Sequence, residues 1–318
     1  MKKLIRVTAA VLISIVVLVA LAAVFINIRG IPTYAPQSGD LKVMITPERV
    51  ARGEKLSTVL CANCHADPQT GKLTGRQMLE AGDQFGELHS QNITADKQYG
   101  IGRWTDWEIY YLLRTGIKRD GTYAPPYMAK LPHMADEDVY SIIAYLRSNK
   151  PAVKAAKIED IPCNPSFLTK FLCFIQFKPL PLPQEKIGLP DTNNMKELGK
   201  YLAINLDCWT CHSADFKTMN VMFPEKTPGF FGGGNKLIDL EGHELISLNL
   251  TPDKETGIGT WTEEQFIDAI KYGKIKGQQA LRYPMLPYTQ LTQTEAKAIY
   301  TYLQNIPAIK NKVERPLW

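Results

Sequence analysis

The chain has 318 residues, a formal net charge of +5 and six cysteines. This length is enough for an N-terminal segment and two units that each bury their own core. Lysine and arginine are scattered and form no long run, which excludes a basic arm for nucleic acid and leaves acidic proteins as the partners that the charge favours.

A long apolar segment follows three basic residues at the N-terminus. The chain is uncharged from Val7 to Ile28, which is close to the roughly 20 residues that cross a bilayer and longer than the core of about 7–15 residues in a cleavable signal. The preceding basic residues predict a cytoplasmic N-terminus. Residues 1–30 are therefore predicted to be a membrane anchor, with cleavage near Ala20-Leu21-Ala22 as the alternative.

Two segments share the pattern C-x-x-C-H, which is the pattern of covalent haem c attachment. Two thiols one helical turn apart can reach the two vinyl groups of one porphyrin edge, and the next imidazole then lies beneath the iron. A zinc site would need four ligands, which neither segment supplies. We therefore predict two covalently attached haem c groups. The residues predicted to hold them are Cys61, Cys64, His65, Cys208, Cys211 and His212.

The other two cysteines lie in a proline-rich segment between the motifs. Residues 151–195 contain seven prolines, which predicts a stiff linker. An oxidising compartment permits a disulfide between Cys163 and Cys173, and their separation does not demand one. An apolar patch from Phe167 to Phe177 is predicted to dock on the chain's own domains, with a partner or a bilayer surface as alternatives.

An internal repeat relates the two halves of the chain. Asn92-Ile93-Thr94 corresponds to Asn249-Leu250-Thr251 and Trp104-Thr105 to Trp261-Thr262, each at an offset of 157 positions. The two C-x-x-C-H motifs are only 147 positions apart, so the second half has ten additional residues after its motif. These include the glycine-rich run 230–234, which is predicted to be a flexible loop near the second haem.

The repeat also selects candidates for the sixth ligand of each iron. Of nine methionines, only Met128 has another methionine at the same offset, which is Met285. A single methionine more often fills a core, but this pair shares its register and lies in proline-rich loops. We therefore predict that Met128 and Met285 bind iron opposite the motif histidines. The competing His133 aligns with Gln290, so the repeat argues against it.

Both halves are predicted to be helical, because no convincing strand alternation is present. Pro47–Leu60 is a predicted helix that leads into the first motif. Capping boxes that start at Thr105 and Thr262 predict a middle helix in each half, and closing helices are predicted over 136–148 and 292–304. The predicted fold is all-α, with two tandem haem units after the N-terminal helix. The predicted units are 46–150 and 196–318, separated by the linker 151–195.

With a haem motif, a distal methionine and a closing helix in this order, both halves resemble class I cytochrome c domains. Gly53 and Gly199 resemble the first-helix glycine of that family, where the closing helix crosses against an aromatic residue, here Tyr145 and Tyr302. The segment 249–262 closely resembles a segment of the cytochrome subunits of membrane-bound alcohol and gluconate dehydrogenases. Those subunits usually carry three haem domains, whereas this sequence has two motifs.

The resemblance implies haem c, His and Met ligation, and electron transfer on the periplasmic face of a bacterial inner membrane. We expect an electron-transfer protein rather than an enzyme, either a respiratory carrier or the electron-acceptor subunit of a dehydrogenase. Its expected partners are a dehydrogenase, a respiratory complex or an oxidase. The alternative is a two-haem cytochrome c peroxidase, which needs an acid or base over an open iron, and no Glu or Gln marks either methionine loop.

Overall fold

The computed structural model describes residues 1–275, 277 and 279–314, so the last four residues of the predicted unit 196–318 lie outside it. The described chain is mainly helical, with two short antiparallel strand pairs, β1–β2 and β3–β4. The helices are α1 (Lys2–Arg29), α2 (Pro47–Leu60), α3 (Ala62–His65), α4 (Asp106–Thr115), α5 (Asp136–Leu146), α6 (Phe167–Ile175), α7 (Met195–Asn205), α8 (Cys208–Cys211), α9 (Glu263–Tyr272) and α10 (Gln293–Leu303). The strands are β1 (Gly86–Glu87), β2 (Asn164–Pro165), β3 (Lys236–Ile238) and β4 (Glu244–Ile246).

The N-terminal helix α1 buries none of its residues against the rest of the chain. Its 28 residues give a length of about 42 Å, which exceeds the roughly 30 Å hydrocarbon core of a bilayer. Among the described residues it is the one helix whose length and composition suit a membrane crossing, a test that a signal sequence also passes.

The first half is organised by the close crossing of α2 and α5. A Cβ atom added at Gly53 would lie 1.8 Å from the carbonyl oxygen of Ser141 and 2.9 Å from the Cβ of Tyr145. The two backbones therefore touch at this glycine, as the resemblance implied. The predicted bounds of α2 are confirmed, while α5 ends at Leu146, two residues before the predicted end.

The second half repeats this crossing with α7 and α10. A Cβ atom at Gly199 would lie 1.9 Å from the carbonyl oxygen of Ala298 and 2.8 Å from the Cβ of Tyr302. The capping boxes at Thr105 and Thr262 are confirmed at the starts of α4 and α9, and α10 begins with a third. These three helices thus begin where the sequence supplies a side chain for the unpaired amides of the first turn.

A buried ion pair holds the chain between α4 and α5. The guanidinium of Arg114 is fully buried and pairs with Asp136 at 2.5 Å. It also donates to the carbonyl oxygens of Leu131 at 2.6 Å and Met134 at 2.7 Å. Because these charge-assisted bonds are made away from water, they fix the path of the chain from the Met128 loop to α5.

The repeated asparagines act as clamps in both halves. Asn92 accepts bonds from the amide and hydroxyl of Thr94 and donates to the carbonyl oxygen of Ala156 at 3.0 Å. Asn249 accepts the corresponding bonds from Thr251 and donates to the carbonyl oxygen of Ile309 at 2.7 Å. The repeat therefore has a structural role, because each asparagine ties the chain that follows the closing helix to the segment that follows the motif.

The two halves are in direct contact. Lys55 of α2 forms an ion pair with Glu295 of α10, and the hydroxyl of Tyr201 on α7 donates to Asp138 on α5 at 2.5 Å. Buried apolar side chains form one cluster that includes residues of both halves. The helices that lead into the two motifs thus lie on the side of each half that faces the other.

The proline-rich segment 151–195 packs along the first half and includes α6. The amide of Leu180 donates to the carbonyl oxygen of Thr115 at 3.0 Å, and the hydroxyl of Thr169 on α6 donates to that of Phe85 at 2.8 Å. The predicted docking of the apolar patch on the chain itself is therefore correct for one face of α6. The opposite face of this helix stays exposed.

The glycine-rich run 230–234 is a packed segment rather than the loose loop that the sequence suggested. Phe231 is fully buried with a φ of 59°, and the amide of Gly233 donates to the carbonyl oxygen of His212 at 2.9 Å. Its position beside the second motif agrees with the prediction. The β3–β4 hairpin that follows was not predicted, because strands of three residues are too short to show an alternation of polar and apolar side chains.

Candidate haem sites

The first motif lies at the end of α2, where the chain turns into the four-residue helix α3. Cys61 directly follows α2, and its carbonyl oxygen accepts the amide of His65 at 2.8 Å. This helical turn brings the thiols of Cys61 and Cys64 to one side of the chain, half-buried. The second motif forms a similar short helix, α8, and His212 directly follows it.

Both motif histidines are oriented by the same backbone contact. The Nδ1 of His65 lies 2.7 Å from the carbonyl oxygen of Gln91, and the Nδ1 of His212 lies 2.8 Å from that of Leu248. A nitrogen that donates to a carbonyl carries the proton, so the Nε2 of each ring keeps its lone pair for a metal. Gln91 and Leu248 directly precede the clamp asparagines, so the repeated segment also positions the histidines.

Burial sets the protonation of the motif side chains. It raises the pKa of Cys61 to about 11 and the pKa of Cys208 and Cys211 to about 12, because desolvation disfavours the thiolate. It also lowers the pKa of His65 and His212, which favours the neutral imidazole. Uncharged sulfur and a neutral ring suit thioether links to a porphyrin and a bond from imidazole to iron.

The Met285 loop lies between the two motifs. Tyr288, three residues after Met285, is half-buried beside Cys208 and Cys211, and desolvation raises its pKa well above its usual value. Tyr283, two residues before Met285, is hydrogen-bonded to Arg76. Arg76 in turn donates to the carbonyl oxygen of Asn63, inside the first motif, at 2.6 Å. The structure therefore brings the predicted ligand loop of the second half next to both motifs.

The Met128 loop has different neighbours. Met128 is half-buried against the apolar core, and its amide donates to the carbonyl oxygen of Pro125 at 3.0 Å. Burial raises the pKa of the adjacent Tyr127, and the nearby Cys163 and Cys173 contribute to the shift. This loop thus faces α6 and the segment before it.

Residues 197–307 match the model of the cytochrome c family. The second half of the chain is thus similar to c-type cytochromes. It is 29% identical to the fructose dehydrogenase cytochrome subunit of Gluconobacter japonicus over 81% of this chain and 53% of that one. It is 27% identical to the alcohol dehydrogenase (quinone) cytochrome c subunit of Gluconacetobacter polyoxogenes over 78% of this chain and 54% of that one.

A third relative has a length closer to that of this chain. The diheme cytochrome c-type protein of Cereibacter sphaeroides is 27% identical over 82% of this chain and 86% of that one. The chain spans about half the length of the dehydrogenase cytochrome subunits that it matches. The family implies covalently bound haem c, and the paired thiols with a neutral, oriented imidazole fit that group.

The remaining histidines of this chain have other partners. The Nε2 of His133 lies 2.8 Å from the carbonyl oxygen of Val221, so its ring links the two halves. His89 is only 8% exposed, and its Nε2 lies 3.1 Å from a carboxylate oxygen of Glu87. His243 is near Asp239 in an acidic turn of the second half.

Cys163 and Cys173 form no disulfide in the described structure. The thiol of Cys163 donates to the carbonyl oxygen of His89 at 3.1 Å, whereas Cys173 is buried on the inner face of α6. The sequence left open whether these two cysteines form a disulfide, and in the structure they are two separate thiols. Each one joins the linker segment to the first half.

Proposed function

We propose that this cytochrome carries two haem c groups and transfers electrons between them and partner proteins. The observation that carries the proposal is that each C-x-x-C-H motif forms a short helical turn and that both histidines bond a carbonyl at equivalent positions of the repeat. A repeated haem motif without a repeated orienting contact would not support two equivalent sites.

The chain's own residues have defined roles in this proposal. Bound haem c would supply one-electron exchange between ferrous and ferric iron. The motif cysteines would hold it, and the Nε2 atoms of His65 and His212 would bind iron on one side. Met128 and Met285 would bind on the other side. Two filled axial positions would prevent exogenous ligands from binding, which suits a carrier.

We further propose that the haem units are held at the periplasmic face of a bacterial inner membrane by α1. Two of the relatives are named as cytochrome subunits of fructose and alcohol dehydrogenases. By analogy, this chain would accept electrons from a dehydrogenase or a respiratory complex and deliver them to an oxidase or another cytochrome. The mildly basic charge favours acidic docking surfaces on these partners.

The number of haem groups is tested by counting haem per polypeptide in purified protein. Covalent haem is measured by the pyridine haemochrome spectrum and by haem staining after denaturing electrophoresis. Two haems are expected in the wild type and one in each double variant, Cys61→Ala/Cys64→Ala and Cys208→Ala/Cys211→Ala. One haem in the wild type would refute the proposal.

The axial ligands are tested by optical spectroscopy of the oxidised protein. Methionine bound to ferric haem gives a weak band at about 695 nm. We expect a band intensity that corresponds to two such haems, and half of it in Met128→Ala or Met285→Ala. A high-spin signal from one haem of the wild type would instead favour the peroxidase alternative.

A further inference from the structure

The helix α6 presents an apolar face to solvent. Four of its side chains, at the first, second, fifth and ninth positions, are between 37% and 58% exposed. The rings of Phe167 and Phe171 stack at 6.0 Å between centroids. Soluble surfaces rarely carry such a cluster without a partner to cover it. We call this face the α6 patch, and it consists of Phe167, Leu168, Phe171 and Ile175.

The inner face of α6 fixes the helix to the first half. Cys173 is fully buried and Thr169 is 1% exposed. Ser166 caps the helix by accepting the amide of Thr169, and its hydroxyl donates to the carbonyl oxygen of Gln84 at 2.7 Å. With this face already occupied, the α6 patch cannot turn inward without breaking these contacts.

The α6 patch lies next to the end of α1. The ring of Phe174 meets that of Phe25 at 6.2 Å between centroids. Lys170 donates to the side-chain oxygen of Asn27 at 2.9 Å, two residues before α1 ends. A helix that crosses a membrane exposes its final turn at the lipid headgroups. The contacts therefore place α6 at the depth where α1 leaves the bilayer.

The charges around α6 suit an anionic lipid surface. The helix contains no acidic residue, and Lys170 lies within it. Lys178 follows it, and Gln176 contacts the backbone of Lys217 at 2.8 Å. An apolar helical face with lysine beside it is typical of a helix that lies in the plane of the membrane interface.

We propose that α6 lies in the headgroup region of the leaflet that α1 exits, with the α6 patch inserted among the lipids. This inference rests on the proposed anchor role of α1. A single helix would allow the haem units to swing about its end. A second contact at α6 fixes the face of the first half that is turned toward the membrane, and with it the face that is presented to partners.

The test is photo-crosslinking of full-length protein in vesicles of phosphatidylcholine and phosphatidylglycerol. A benzophenone amino acid, which inserts into nearby C–H bonds, replaces Phe171 in one variant. The same amino acid at Leu18, in the middle of α1, reports whether the anchor is in the bilayer. At Tyr272, an exposed aromatic residue at the end of α9, it is the matched control.

We expect lipid adducts by mass spectrometry at Leu18 and Phe171 and only background at Tyr272. Adducts at Leu18 without any at Phe171, or an adduct of Phe171 with a second copy of the chain, would overturn this inference and leave the anchor intact. Absence of lipid adducts at both Leu18 and Phe171 would overturn the anchor and this inference together. Haem content, measured on the same samples, reports separately on the electron-transfer proposal.

Discussion

Alanine at Gly53 or Gly199 is expected to force apart the helix crossing on which each half depends. The added Cβ would lie 1.8 Å or 1.9 Å from a backbone oxygen of the opposing helix, about 1.5 Å short of ordinary contact. Because the obstacle is backbone, no change of rotamer can relieve it. The helices must separate, which also disturbs the packing against Tyr145 or Tyr302.

The expected loss of stability follows from two opposing effects. Overpacking costs about 3 kcal/mol at the upper end of its usual range, and the better helix propensity of alanine returns about 1 kcal/mol. The net loss of about 2 kcal/mol lowers the midpoint of thermal unfolding by about 8–16 °C for a unit of roughly 100 residues.

Thermal unfolding is measured by far-ultraviolet circular dichroism, with haem absorbance recorded in parallel. The matched control is Gly188→Ala, because a Cβ there meets nothing within 4 Å and the backbone conformation is ordinary. The control is expected to unfold like the wild type. The reasoning would be refuted if Gly53→Ala and Gly199→Ala unfolded at the same temperature as Gly188→Ala.

Three further substitutions test the electrostatics of the described structure. Arg114→Met leaves its buried carboxylate partner unpaired and is expected to lower the free energy of unfolding by about 3–5 kcal/mol in urea titrations. The control Lys310→Met removes an exposed ion pair with Glu255 and should change the free energy of unfolding by less than about 1 kcal/mol. Arg76→Met removes a cation between the two motifs and should lower a haem reduction potential by about 40 mV, the equivalent of about 1 kcal/mol. Arg76→Lys keeps the positive charge and should keep most of the wild-type potential. Equal potentials in the wild type and both variants would contradict an electrostatic effect of Arg76 on the haems. Burial raises the pKa of Asp207 to about 6 from 3.8, so the folded state binds the proton of this carboxyl group more tightly than the unfolded state does. The stabilisation by this proton is complete below pH 3.8 and is lost as the pH rises through 6. Asp207→Asn keeps the acceptor for Thr210 and should be the more stable protein by about 1–3 kcal/mol at neutral pH, with no difference at pH 3.5 in urea titrations.

Much of the helical framework could be predicted because its signals are local. A capping box such as the one at Thr105 is complete within four residues, and the bounds of α2 depend on Pro47 and on the motif that follows it. Because the two halves are related by an offset of 157 positions, an element found in one half also predicts its counterpart in the other half. The helix α6 was not predicted, because the many prolines around it drew attention away from Ser166, which supplies its helix cap.

The contacts between the halves could not be predicted from sequence. Arg76 and Tyr283 are more than 200 positions apart and occur in segments that the repeat does not pair. The roles of Gln91 and Leu248 were hidden for another reason. They orient the histidines through backbone carbonyls, which every residue type provides, so no side-chain pattern marks them.

Two equal ligand sets would still give two unequal haem sites in this chain. The Met285 loop contacts Arg76, whose guanidinium also pairs with Glu80 at 2.5 Å, so a charged pair lies on one side of it. The Met128 loop instead contains Tyr127, whose ring lies near the thiols of Cys163 and Cys173. Hydrogen bonds, charge and solvent exposure around a haem set its reduction potential together with the axial ligands. With the ligands that we propose from the repeat, the two haems would have equal ligand sets but different surroundings. Their reduction potentials would then differ, and electron flow between them would have a direction.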